Sequence, residues 1–207
     1  MQIASIIASN APGVGTEPNQ TQHIHTVLEY LDVESTSGER YEYYKGKIKL
    51  LAGGSIAHNR IARNILTELE SSFKNMPEFE AFGSDQKIFL PEYDYYVYPD
   101  AVVVAEGPLL TEDVSHAIIN PLLVIEVLSD ITERHDRGQK FIEYRSLPSF
   151  KEYVLIRQDK PTVVSFYKSQ PGVWLEEEFK DMESEVYFKS IDLRVAMRLI
   201  YRKVELK

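Results

Sequence analysis

The 207-residue chain contains no cysteine. Disulfides, thiolate metal sites and cysteine nucleophiles are excluded together, and the composition fits a reducing compartment. Long apolar runs are missing too. The longest are strand-sized, well short of the roughly 20 residues a membrane-spanning helix needs. Residues 1–11 are mildly apolar, but they carry no basic residue and no continuous apolar stretch of signal-peptide length. The expectation is a soluble, cytoplasmic protein with no membrane partner. Positive charge is in deficit, with 23 Lys and Arg against 32 Asp and Glu, a formal net charge of −9. That sign opposes a tight nonspecific grip on phosphates, although local patches or bound cations can offset it. Motif absences narrow the chemistry further. There is no phosphate-cradling Gly-rich loop, no Gly-x-Ser-x-Gly elbow and no His-Glu-x-x-His.

What is present suits one buried core, and ordinary apolar and charged fractions of 43% and 27% exclude wholesale disorder. Residues 1–21, with Pro12, Gly13, Gly15, Pro18 and Asn19, read as a flexible leader, and 22–207 as a single domain. A short helix is expected over 26–31, followed by a polar stretch over 34–38. Residues 40–51 pattern as a β-hairpin turning at Lys45-Gly46. Ile56, His58, Ile61, Ile65, Leu66 and Leu69 recur at helical spacing, which predicts an amphipathic helix from Ser55 to about 74–77. Strands are expected near 80–82 and 87–90, then a tyrosine-rich loop (Tyr93, Tyr95, Tyr96, Tyr98), then a strand over 101–105. Residues 121–128 are apolar on both faces, as in a central strand covered on both sides. Ser129, Asp130 and Thr132 offer caps for a helix through about Leu147, and four further strands (152–156, 163–167, 173–179, 185–188) make the C-terminal half β-rich.

Glu126 interrupts that central strand. An ionised carboxylate buried without a partner costs several kcal/mol, so it is paired or binds a metal. A single salt bridge accounts for Glu126 alone as well as a functional role does. Asp100 changes the balance, because it opens the apolar strand 101–105. If the two strands are neighbours, oxygens from both converge near one strand end and suit a hard cation such as Mg²⁺ or Mn²⁺. Glu42, in the hairpin, and Lys140 are candidates to complete the set. Asp136, Lys140 and Tyr144 recur every four residues and share a helix face; turned inward, that face would bring Lys140 to a phosphate, with Asp136 and Tyr144 as further substrate contacts. His58 opens the helix after Gly53-Gly54, where a helix N-terminus favours anions and depresses a histidine pKa. The other histidines show no zinc-ligand spacing with it.

Four segments then carry a resemblance: residues 40–48 (RYEYYKGKI), Ala57-His58 with its helix, residues 98–104 (YPDAVVV), and residues 121–129 (PLLVIEVLS) followed by 136–140 (DRGQK). In this order and spacing the chain resembles the Uma-two family of endonuclease-like proteins, within the PD-(D/E)XK restriction-endonuclease-like superfamily. The resemblance implies an α/β (α+β) fold with a mixed central sheet flanked by helices. It also implies a metal site on Asp100 and Glu126, with Glu42 as the acidic residue from the N-terminal part of the core. The superfamily lysine expected two residues after the second acid would stand at 128, which is Leu128 here, so Lys140 would have to supply the cation. The function implied is metal-dependent hydrolysis of DNA phosphodiester bonds, with a homodimer by analogy. The rival is a catalytically silent nuclease fold that binds nucleic acid or a protein partner; a sugar hydrolase has only the two carboxylates in its favour.

Overall fold

A computed structural model describes residues 23–129 and 133–206. The expected leader, and the caps Asp130 and Thr132, lie outside the described residues. Helix α1 (Val27–Ser37) starts at a capping box in which the side chains and amides of Thr26 and Glu29 bond reciprocally. It ends on Gly38 at φ 69°, so the polar stretch expected after a short helix is its last turn. Strands β1 (Tyr41–Tyr44) and β2 (Lys47–Leu50) form the expected hairpin. Lys45 and Gly46 both have positive φ, as a two-residue I′ turn demands, and a Cβ on Gly46 would run into Ile24.

Helix α2 (Ile56–Phe73) is capped by Ser55, whose Oγ accepts from the His58 amide at 3.1 Å. Its spacing buries Ile61, Ile65, Leu69 and Phe73 on one side. Strands β3 (Phe79–Gly83), β4 (Ile88–Leu90), β5 (Tyr95–Val97) and β6 (Ala101–Ala105) follow. Strand β5 corrects the tyrosine-loop expectation. All three of its residues are buried and it pairs with both β1 and β4, because the sheet it joins is covered on both faces. Strand β7 (Leu123–Leu128) is buried at every position, as its apolar run predicts. After it, α3 (Glu133–His135), a π-helical turn (Asp136–Lys140) and α4 (Phe141–Tyr144) make one helical run, ending short of Leu147. Strands β8 (Glu152–Arg157), β9 (Val163–Gln170), β10 (Val173–Phe179) and β11 (Glu185–Phe188) match expectation. Strand β12 (Leu193–Ala196) and helix α5 (Met197–Ile200) complete the described chain.

The main sheet has the order β10-β9-β8-β7-β6-β3 and is mixed: β7 and β8 run parallel, while the other pairs are antiparallel. One face packs Leu123, Ile125 and Val127 against α2, the β11–β12 hairpin and α5. The other packs Val124 and Leu128 against Tyr144, Phe150 and the inner face of a four-stranded sheet, order β2-β1-β5-β4. That smaller sheet covers its outer face with α1 through a Tyr30–Tyr43–Tyr96 cluster. Successive side chains on β7 point to opposite faces. Glu126 therefore falls on the Val124–Leu128 side, between the two sheets.

Candidate active site

Strands β6 and β7 are antiparallel with Ala101 opposite Ile125. Asp100, one residue before, thus meets Glu126, one residue after, at the same strand end. One Asp100 oxygen lies 2.6 Å from His58 Nε2, and the other accepts the Val127 amide at 2.7 Å. Glu126 Oε1 accepts from Lys140 Nζ and from the Tyr144 hydroxyl, each at 3.2 Å. The same Nζ lies 3.2 Å from Glu42 and 3.4 Å from Asp136. Glu42, Glu126, Asp136 and Lys140 are each only 4–6% exposed.

The π turn explains how a helix residue reaches this place. Five-residue π segments recur at functional sites because the wider turn re-aims side chains. Here it turns both Asp136 and Lys140 inward. Leu128 is buried in the core beside Val124, so the strand position at which the resemblance implies a lysine is used for packing.

Charge in this space is unbalanced. Glu42, Asp100, Glu126 and Asp136 share one lysine and one histidine. Burial pushes the Glu126 pKa well up; the Lys140 charge opposes this, and Asp136, Asp100 and Glu42 reinforce it. Burial also disfavours the Lys140 ammonium, but Glu126, Glu42 and Asp136 outweigh it and hold that pKa well above the ordinary value. His58 follows the same pattern. Burial opposes its charge, while the hydrogen bond and charge of Asp100 raise its pKa overall. The expected depression at a helix N-terminus is therefore reversed, because a carboxylate at 2.6 Å outweighs the helix end.

Two of the expected substrate contacts, Tyr144 and Asp136, are engaged within the cluster, and of the two only Asp136 lines the neighbouring cleft. Tyr144 is fully enclosed and serves as a donor to Glu126, and Asp136 is buried in its pairing with Lys140. Two neighbours went unread in the sequence. Glu143 is fully buried, with one oxygen accepting from Gln139 at 2.9 Å and the other unpartnered among the described residues. Tyr95 is buried beside the cluster, and burial pushes its hydroxyl pKa up. The three-residue step from Lys140 to Glu143 was the available signal for the first; β5 pairing alone reveals the second.

All of these groups except Tyr144 line a cleft of about 1060 Å³. Four carboxylates are hard oxygen donors, and a buried excess of negative charge is what a divalent cation such as Mg²⁺ or Mn²⁺ neutralises, so the donor set fits one. Among the described residues, the only three ligating groups already within 4.8 Å of one another are His23, His25 and Glu29, whose histidines line the same cleft. The oxygens of Asp100, Glu126 and Glu42 are drawn instead onto His58, the Val127 amide and Lys140. No helix among the described residues is long and apolar enough to cross a membrane.

Comparison with known proteins identifies the family and the fold. A family model, Uma2, described as "Putative restriction endonuclease", matches residues 27–196. The uncharacterized protein sll1609 of Synechocystis sp. is 36% identical over 168 residues, covering 81% of this chain and 94% of its own. A second Synechocystis protein, slr1290, is 32% identical over 174 residues, covering 84% and 90%. Among solved structures, a protein of Anabaena variabilis titled "putative nuclease belonging to DUF820" superposes with a TM-score of 0.62 at 20% identity, over 79% of this chain and 90% of its own. At that identity the likeness shows the fold, a mixed sheet flanked by helices. With a family model covering most of its length and relatives above 30% identity across nearly all of theirs, the chain belongs to the Uma2 family.

Proposed function

We propose that this protein is a metal-dependent endonuclease that hydrolyses DNA phosphodiester bonds in the cleft floored by Asp100, Glu126 and Lys140. The observation that carries the reading is Lys140 Nζ at 3.2 Å from both Glu42 and Glu126, which restores from the helix the cation that Leu128 cannot supply. Asp100 and Glu126 would hold Mg²⁺ or Mn²⁺, and Glu42 would be a further ligand or orient water. The chemistry such a cation supplies when bound is polarisation of the phosphate and a lower pKa for an attacking water.

The chain's own residues do the rest. Lys140 stays an ammonium, because three carboxylates surround it, and offers its charge to a phosphate oxygen as negative charge builds in the transition state. Tyr144 and the Val127 amide fix the orientations of Glu126 and Asp100. His58 steadies the remaining Asp100 oxygen. Supporting groups of this kind hold a reacting constellation in register.

Cleavage of plasmid DNA in Mn²⁺ tests the proposal. Asp100→Ala and Glu126→Ala should each lower the rate by at least about 10²-fold, the scale of losing a preorganised electrostatic contact. Wild-type rates in both variants overturn it. One observation favours the rival, a silent nuclease fold that binds a nucleic acid or a protein. Both Asp100 oxygens are already engaged, by His58 and the Val127 amide. Calorimetric Mn²⁺ titration separates the two, since saturable binding lost in Glu126→Ala is required by the enzyme and not by the rival.

A further inference from the structure

The floor of the cleft is acidic, yet one of its walls is not. In the hairpin, Glu42 lies opposite Lys49 and Tyr44 opposite Lys47. Cross-strand partners and alternate residues share a face. Glu42, Tyr44, Lys47 and Lys49 therefore point the same way, and the contact of Glu42 with Lys140 fixes that way as into the cleft. All four line it. Lys47 and Lys49 are exposed, and neither forms an ion pair with a described residue, although the chain carries nine more acidic than basic side chains. Strand β2 is the edge of its sheet, so its lysines are not shared with a further strand.

Gly53, Gly54, Ser55 and His58 line the same cleft, and the first turn of α2 contains no acidic residue. A long helix presents amides and the positive end of its dipole there. An acidic floor lined also by a lysine-bearing strand and a helix start suits a polyanion whose reacting phosphate meets the floor and whose neighbouring phosphates need cations beside it.

We infer that Lys47 and Lys49 form a phosphate rail, which seats the nucleic-acid backbone next to the bond presented to Asp100 and Glu126. The inference rests on the nuclease reading and adds to it the surface that gives an acidic protein its hold on a polyanion. Edge-strand lysines also deter β-pairing between molecules. That role predicts aggregation on their removal and no change in the binding of an oligonucleotide.

The salt dependence of binding distinguishes these. Fluorescence anisotropy would follow a labelled oligonucleotide, as a single strand and as a duplex, in Ca²⁺ across a salt series. Wild type would be compared with Lys47→Ala/Lys49→Ala and with the control Lys180→Ala, which removes an exposed lysine paired with Glu178 elsewhere. Each lysine–phosphate contact contributes about 0.9 to the slope of log K against log salt on a duplex and about 0.7 on a single strand. The double variant should therefore lose about 1.4 to 1.8 from the slope, with its thermal unfolding and Mn²⁺ binding unchanged and the control unaltered. An unchanged slope in the double variant overturns the rail while leaving the nuclease reading intact if wild type cleaves DNA. An equal loss in Lys180→Ala also overturns it, because net charge alone would then explain the effect. Failure of wild type to bind either probe overturns the rail together with the nuclease reading.

Discussion

Two lysines are buried beside the smaller sheet, and their surroundings differ. Lys87 pairs with one carboxylate, Glu34, and its ammonium lies 4.9 Å and 5.5 Å from the ring centres of Tyr30 and Tyr98. Glu34 is completed by the Tyr41 amide at 3.0 Å and the Tyr98 hydroxyl at 2.9 Å. One positive charge meets one negative charge, and neutral donors fill the rest. Lys140 instead faces Glu42, Glu126 and Asp136, with Asp100 and the half-satisfied Glu143 close by. The first arrangement joins α1 to the sheet and needs nothing more. The second keeps an excess of buried negative charge, which costs stability unless a cation arrives. Balance marks the structural pair and imbalance the cluster proposed as the site.

The largest effect expected from this contrast is on folding. Lys87→Met leaves the half-buried Glu34 without its counter-charge and should destabilise the protein by about 3 kcal/mol in urea unfolding. A loss of under about 1 kcal/mol would show that Lys87 is dispensable and would break the comparison. Lys140→Met strands three carboxylates and should also destabilise the metal-free protein; in protein kept folded by Mn²⁺, it should lower DNA cleavage by about 10²–10³-fold. Cleavage at the wild-type rate would remove Lys140 from the mechanism. Removing a carboxylate from each cluster then sharpens the distinction by sign. In metal-free protein, Glu126→Gln relieves crowding and should stabilise by about 0.5–2 kcal/mol, as loss of a functional charge commonly does. Glu34→Gln strands Lys87 and should destabilise. Equal losses from both variants would erase the difference between the sites.

The Lys140 side of this contrast was partly legible in the sequence, for physical reasons that stop at identifiable residues; the Lys87–Glu34 pair was not. Glu126 stands out because a carboxylate in a two-sided apolar strand demands an explanation, and the antiparallel register then brings Asp100 to it. Helix α2 and the Lys45-Gly46 hairpin follow from apolar period and turn chemistry, both local properties. The shared face of Asp136, Lys140 and Tyr144 was visible at four-residue spacing, but the π turn was not. A five-residue change of pitch leaves no periodic signature, so the inward aim of Asp136 and the enclosure of Tyr144 were unreadable. Glu143 was missed although its three-residue step from Lys140 was there to read. Strand β5 was hidden because alternate tyrosines buried on two faces lack the polar alternation that marks a half-buried strand. Glu42 sits among tyrosines in a hairpin whose inner face only the tertiary fold defines, and its place in the site came from family resemblance. Strand β12 and α5 are four residues each, too short for periodicity to show.

A half-buried carboxylate held by neutral donors gives the smallest and most specific test. Asp113, in the connection between β6 and β7, pairs with no cation among the described residues. It accepts from the Tyr96 hydroxyl at 2.7 Å, the Thr111 hydroxyl at 2.8 Å and the Ser115 amide at 2.9 Å, and also from the Ser115 hydroxyl. Burial works against its charge, but the donors of Ser115, Tyr96 and Thr111 prevail and lower its pKa to about 2. Its folded value lies below the unfolded one near 3.9. The stability it contributes is therefore present above about pH 4 and is lost as pH falls through about 2. Glu126 has the opposite sign. Its folded pKa is raised, so in metal-free protein its contribution is greatest below its unfolded value near 4.3 and declines as pH rises through the folded one. Urea unfolding across acid pH should show Asp113→Asn flattening the descent below pH 4, and Glu126→Gln flattening only the decline at higher pH. If both variants altered the same limb, neutral donors and a crowded acidic cluster would be equivalent ways to bury a carboxylate, and charge balance would no longer separate scaffold from site.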